Sequence, residues 1–134
     1  SILFFTGILL AVSVLEHAEI LNALADFLED KIGNQTLIIG LLGMLSAVID
    51  NVPLVAASMG MYSLSEFPVN SFTWQFLAYA AGTGGSILII GSAAGIAAMG
   101  LEKIDFFWYA KKISWLAFVG YLAGALTYCL LAGV

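Results

Sequence analysis

The chain has 134 residues, of which 62% are hydrophobic and only 10% charged, with a formal net charge of −5. A mean hydropathy of +1.05 is far above that of an average soluble domain, and most of its apolar runs lack the polar face that a water-exposed helix needs. This argues against a soluble helical domain, and the absence of a basic cluster argues against nucleic acid or anionic lipid head groups as partners.

In chain order, Ile2 to Leu15 is apolar apart from Thr6 and Ser13, and then Glu16, His17 and Glu19 follow. At about 1.5 Å per residue this stretch is short for a membrane crossing, so the span is expected to begin upstream or to continue past the charges. It starts without a methionine or a basic flank, unlike a signal peptide; the N-terminal part of a longer protein is expected to precede it. Ile20, Leu21, Leu24, Phe27 and Leu28 recur at helical spacing with Asn22 and Asp26 among them, which makes residues 2–28 a helix plus an amphipathic continuation near the interface. Glu16, His17 and Glu19 read either as a solvated membrane boundary or as a proton relay or pH sensor, with His17 working beside a neighbouring acid.

A polar turn, Glu29 to Gln35, contains the breaker Gly33-Asn34. The run 36–62 that follows is interrupted at Ser46-Ala47-Val48-Ile49-Asp50-Asn51-Val52-Pro53. A carboxylate near the middle of an apolar segment costs several kcal/mol unless something pairs with it, which singles out Asp50. Pro53 lacks an N–H and disfavours helix at Val52, so a continuous helix through it is not expected, whereas Asn followed by Pro suits a new helix start. The first arm is roughly 21 Å long and the second shorter, and neither spans a core of about 30 Å alone. Together they suit a re-entrant hairpin with Asp50 and Asn51 at its tip; a single broken crossing is the alternative. Such unwound backbone persists at membrane depth only inside protein or beside a watery cavity, where transporters place their sites.

The run 74–100 has its own interruption, Gly82-Thr83-Gly84-Gly85-Ser86. Each glycine weakens a helix by about 1 kcal/mol relative to Ala, which predicts unwinding there. A phosphate loop is excluded, because neither the Gly-Lys-[Ser/Thr] ending nor the third glycine of a dinucleotide fingerprint is present. Ile90 to Gly95 carries GxxxG spacing, read as close helix packing. Leu101 to Lys112 holds three of the four basic residues among Phe106, Phe107, Trp108 and Tyr109; the positive-inside rule makes this interfacial linker cytoplasmic. Residues 113–132 form the last span, uncharged and ending outside, with Gly120 and Gly124 as a packing face. Cys129, the single cysteine, reads as a small apolar packing residue.

Ser46 to Val55, followed by Gly82 to Ser86 and Ile90 to Ala94, resembles the C-terminal half of an NhaD-type sodium/proton antiporter of the ion transporter superfamily. The resemblance implies an all-α integral membrane protein, one half of an inverted-repeat transporter. This chain would supply the re-entrant hairpin and the broken helix, and the missing N-terminal repeat an equivalent pair. It further implies a bacterial inner membrane, contact with membrane lipid, a homodimer as an expected assembly, and no enzymatic activity.

The residue chemistry fits that implication. A small hard cation stripped of water needs several oxygens, from a carboxylate, an amide, hydroxyls and free helix-end carbonyls. Asp50, Asn51, Ser46, Thr83 and Ser86 are the expected ligands, with Pro53, Gly82, Gly84 and Gly85 as helix breaks or hinges. No cofactor is expected; sodium or lithium and the proton are the transported species. Burial raises a carboxylic acid's pKa and a bound cation lowers it, so Asp50 would hold either a proton or the metal ion. Two other readings stand beside this one: a sodium-coupled or pump-associated carrier of arsenite or a dicarboxylate, and a noncatalytic membrane assembly fragment. Asp50 also reads as a structural cap, paired with Asn51 or with another helix's backbone.

Overall fold

The computed structural model describes residues 2–133, with the backbone alone for Phe4, Phe5, Ile8, Leu9 and Glu16. Among the described residues the chain is all-helical: α1 (Ile2–His17), α2 (Ile20–Ile32), α3 (Gln35–Leu45), α4 (Asn51–Met61), α5 (Phe72–Gly84), α6 (Ala93–Leu101), α7 (Phe106–Lys112) and α8 (Ser114–Ala132), with a 3₁₀ turn at Ile89–Gly91 between α5 and α6.

Local chemistry sets most of the helix ends. Glu19, at φ 59°, turns the chain between α1 and α2 in the left-handed region, which L residues enter at some cost. α2 stops at Gly33, whose φ of 64° lets its N–H reach the Glu29 carbonyl. α3 starts where the Asn34 side chain accepts a hydrogen bond from the Leu37 N–H at 3.0 Å. Its last turn tightens: the Ser46, Ala47 and Val48 N–H groups donate to the carbonyls of Gly43, Met44 and Leu45, three residues back. α4 then starts at Asn51 with Pro53 as its third residue, where first-turn N–H groups have no helical partner and the missing one costs little.

The centre of the fold is α3 against α5. Ile39, Phe76, Leu77, Ala80 and Tyr121 form one buried cluster with α8, and Leu21, Ile38, Leu42, Leu54, Met61 and Ala81 join α2 and α4 to the other side. The helices approach closely at Gly43 and Gly84, where the Gly43 carbonyl occupies the space that a Cβ on Gly84 would need. Beside this contact Phe76, Tyr79 and Tyr128 stack on one another, the Tyr79 hydroxyl donates to the Tyr121 carbonyl, and the Tyr121 hydroxyl donates to the Gly40 carbonyl at 2.6 Å.

This packing moves the second interruption. Unwinding was expected from Gly82, but α5 remains helical through Gly84 and the irregular backbone runs from Gly85 to Ser92. Gly82 is helical with open space around it, and Gly84 is buried in the α3 contact. Burial of Phe76, Leu77, Ala80 and Ala81 along α5 outweighs the glycine penalty of about 1 kcal/mol per residue. The small-residue faces divide likewise. Gly124 seats the Tyr79 ring and Gly95 abuts the Ile89 carbonyl, whereas Gly40 and Gly120 face open space.

Large apolar side chains cover the outside. Leu116, Val119, Leu126 and Leu130 of α8 are all more than half exposed, and α8 is, among the described residues, the one helix long and apolar enough to cross a membrane by itself. Such a surface calls for lipid or further protein around it.

Candidate ion site at two helix breaks

The link between α3 and α4 and the link between α5 and α6 touch each other. Ser46, fully buried, donates its hydroxyl to the Ala81 carbonyl at 2.8 Å, which ties the first link to the last turns of α5. Gly91 lies against both links: a Cβ placed on it would be 2.6 Å from the Gly85 and Ser46 carbonyl oxygens and 2.7 Å from that of Ala47. A Cβ on Gly85 would be 2.8 Å from the Gly91 carbonyl oxygen and 3.3 Å from Ser46 Oγ. Three carbonyl oxygens from two separate helix breaks therefore crowd one point. Among the described residues none of the three accepts a hydrogen bond.

Asp50 sits immediately before α4, half-buried, with φ −49° and ψ 138°, and its carboxylate makes no capping hydrogen bond. Nor does any lysine pair with it among the described residues, where the one ion pair is the exposed Lys31–Asp30 contact at 3.7 Å. Asn51 follows as the half-buried first residue of α4. The helix dipoles divide the labour. The start of α4 favours the ionised carboxylate, and the ends of α3 and α5 favour a positive charge near their carbonyls.

Thr83 and Ser86 lie at the end of α5. The Thr83 hydroxyl donates back to the Tyr79 carbonyl at 2.7 Å, which commits its proton and leaves its lone pairs free. Ser86, exposed, donates to the Thr83 carbonyl at 2.6 Å, and its own carbonyl accepts from the Tyr109 hydroxyl of α7 at 2.9 Å. Of the expected ligands, Ser46 is thus joined to the second break, Thr83 and Ser86 to each other, and Asp50 and Asn51 adjoin along the chain. Among the described residues no hydrogen bond joins Asp50 to Thr83 or Ser86. His17 and Glu19 are both exposed at the joint between α1 and α2, and the side chain of Glu16 lies outside the described residues. No cluster of three or more His, Cys, Asp or Glu side chains suited to a metal ion forms among the described residues, so oxygen donors at the breaks are one carboxylate plus amide, hydroxyl and carbonyl groups.

Sequence reasoning missed Ala47 and Gly91. Both lie in stretches that carry the resemblance, but Gly91 reads as half of a GxxxG packing pair, and Ala47, contributing through its backbone, carries no side-chain signal of a site.

Two helix breaks thus meet inside a chain that is all-helical among the described residues and carries an apolar exterior. The chain belongs to the citrate transporter family, whose sequence model matches residues 1–74. It is 60% identical over 126 residues to Sodium/proton antiporter 1 of Arabidopsis thaliana, covering 94% of this chain and 22% of that protein. It is 36% identical over 125 residues to the Na(+)/H(+) antiporter NhaD of Alkalimonas amylolytica, covering 92% and 25%. To NhaD of Halomonas elongata it is 30% identical over 136 residues, covering 98% and 26%. The resemblance to NhaD-type antiporters read from the two motifs thus extends over nearly the whole chain. The chain spans only about a quarter of the length of these relatives. No solved structure matches it.

Proposed function

We propose that the protein containing this chain exchanges sodium or lithium ions for protons across a membrane, with Asp50 alternating between the proton and the cation. The observation that carries this reading is the contact of the two breaks at Ser46, Ala47, Gly85 and Gly91, close in the chain to a half-buried carboxylate that pairs with no lysine among the described residues. A desolvated carboxylate needs a proton or a cation, and either one displaces the other. Asp50, Asn51, Ser46, Thr83 and Ser86 are the proposed ligands, and free carbonyls at the ends of α3 and α5 complete them. In this reading α3 and α4 form a re-entrant hairpin, and the remainder of the protein supplies an inverted counterpart. The lysines around α7 put that helix inside and the end of α8 outside. The membrane is bacterial or that of a plant, since antiporters of both kinds are relatives. Pro53 and Gly85 flank the moving backbone, His17 and Glu19 lie where a pH sensor would meet water, and a homodimer is the proposed assembly.

The test is sodium-, lithium- and potassium-induced proton movement in everted vesicles carrying the full-length protein, for wild type and Asp50→Asn. Loss of exchange with normal expression is expected; unchanged exchange would reduce Asp50 to a structural cap.

The family's description as a citrate transporter favours one second reading, sodium-coupled carriage of a carboxylate anion. There the start of α4 would face the anion's charge, and Asp50 would serve the coupling sodium. Sodium-dependent citrate uptake without cation-driven proton movement would select it.

A further inference from the structure

The sequence offers no run of basic residues, yet the fold assembles a basic aromatic face from α7 and the start of α8. Phe107, Trp108, Lys111, Lys112 and Trp115 are all exposed, the three aromatics at 68%, 51% and 58%. Within α7 the spacing of Trp108, Lys111 and Lys112, one, four and five residues from Phe107, places these four on one side of the helix, and Trp115 is exposed at the start of α8, just past the turn at Ile113. Phe106, Tyr109, Ala110 and Ile113 occupy the opposite, half-buried side, where the Tyr109 hydroxyl is held by the Ser86 carbonyl at 2.9 Å. The face is therefore fixed in orientation and turned away from the rest of the described residues.

Its charge is uncompensated. Among the described residues neither Lys111 nor Lys112 has a carboxylate within 4.0 Å. The nearby Asp105 carboxylate accepts from the Trp108 N–H at 2.9 Å and so serves as the helix cap. Aromatic rings beside unpaired lysines match the boundary of a bilayer: tryptophan rings sit at headgroup level, and lysine stems lie along apolar surface while the ammonium reaches for phosphate. In a chain whose net charge is −5, this local excess of positive charge complements an anionic membrane surface.

We propose that this face binds anionic phospholipid headgroups, with Lys111 and Lys112 contacting the phosphates and Trp108 and Trp115 seated at the level of the glycerol backbone. The inference rests on the membrane setting and not on the transported ion, so the test uses no transport readout. Full-length protein is reconstituted in vesicles holding equal small fractions of photoactivatable phosphatidylglycerol or phosphatidylcholine, and crosslinks are mapped by peptide mass spectrometry. The peptide containing Phe106 to Trp115 is expected to take the anionic probe at least about fivefold more strongly than the zwitterionic one, as one lysine near a charged surface implies. That ratio should fall toward one in K111Q/K112Q, persist in K111R/K112R, and fall in wild type at 0.5 M salt (roughly a 4 Å screening length). Equal labelling by the two probes, or a wild-type preference indifferent to salt, would overturn the proposal even if the glutamine variant failed to fold.

Discussion

The buried hydroxyl of Ser46 donates to the carbonyl of Ala81, 35 residues away in sequence, and thereby fastens the first helix break to α5. A net contribution of about 1 kcal/mol is usual for such a bond. Ser46→Ala should therefore lower stability by about that amount, measured as thermal unfolding of the detergent-solubilised protein. If Ser46 also offers its lone pairs to the cation, sodium should protect the variant less against unfolding than it protects wild type. Equal protection would make Ser46 a fastener only.

Gly91 and Gly82 make a sharper pair. A methyl group on Gly91 would meet three backbone carbonyls at 2.6 to 2.7 Å, and none is the end of a flexible side chain. Gly91→Ala must push the two breaks apart, at an expected cost of about 1–3 kcal/mol and with loss of exchange. Gly82 is helical with open space where the methyl would go, so Gly82→Ala should stabilise by about 0.4–1 kcal/mol through the unfolded chain. Should Gly82→Ala abolish exchange with the protein folded, the working hinge lies inside α5, where the sequence alone puts it.

Tyr121 tests how α8 is held. Its hydroxyl reaches the Gly40 carbonyl at 2.6 Å and its ring joins the cluster of Ile39, Phe76, Leu77 and Ala80. Tyr121→Phe keeps the ring and should cost about 0.5–1.5 kcal/mol, whereas Tyr121→Ala leaves a cavity and should cost about 3–5 kcal/mol. Chemical denaturation in mixed micelles would separate the two, and a phenylalanine variant as damaged as the alanine one would show that the hydroxyl carries the contact.

The elements legible in the sequence are those that one or two neighbouring residues decide. Asn34 begins α3, Gly33 ends α2, and Pro53 permits a helix start but no helix through it; each is a backbone effect over a few residues. What the sequence placed differently depends on partners distant along the chain. Gly82 and Gly84 read as breakers by propensity, but the Gly43 backbone packs on Gly84 and keeps that turn helical. Gly91 and Ala47 escaped notice because they meet through main-chain atoms across more than forty positions, where residue type carries almost no signal. The basic, aromatic stretch before α8 is legible as an interfacial linker, but that Phe107, Trp108, Lys111 and Lys112 share one side appears only once α7 is wound.

Thr83 distinguishes a ligand from a helix residue that happens to carry a hydroxyl. Its proton is spent on the Tyr79 carbonyl at 2.7 Å, a back-bond that threonines in helices make without any functional role. Its lone pairs, however, lie in the last turn of α5, two residues before the irregular backbone at Gly85. Thr83→Val preserves shape and removes the oxygen, and Thr83→Ser preserves the oxygen and removes the methyl. If the oxygen binds the cation, the valine variant should raise the apparent KM for sodium about tenfold, the equivalent of about 1.4 kcal/mol, while the serine variant stays within about twofold. Proton flux should still reach its wild-type maximum at saturating sodium, because only binding is weakened. An unchanged KM in Thr83→Val would leave Asp50, Asn51, the hydroxyls of Ser46 and Ser86, and the free carbonyls of Ser46, Ala47 and Gly85 as the candidate oxygens, and would assign Thr83 to holding the end of α5 in register with α3.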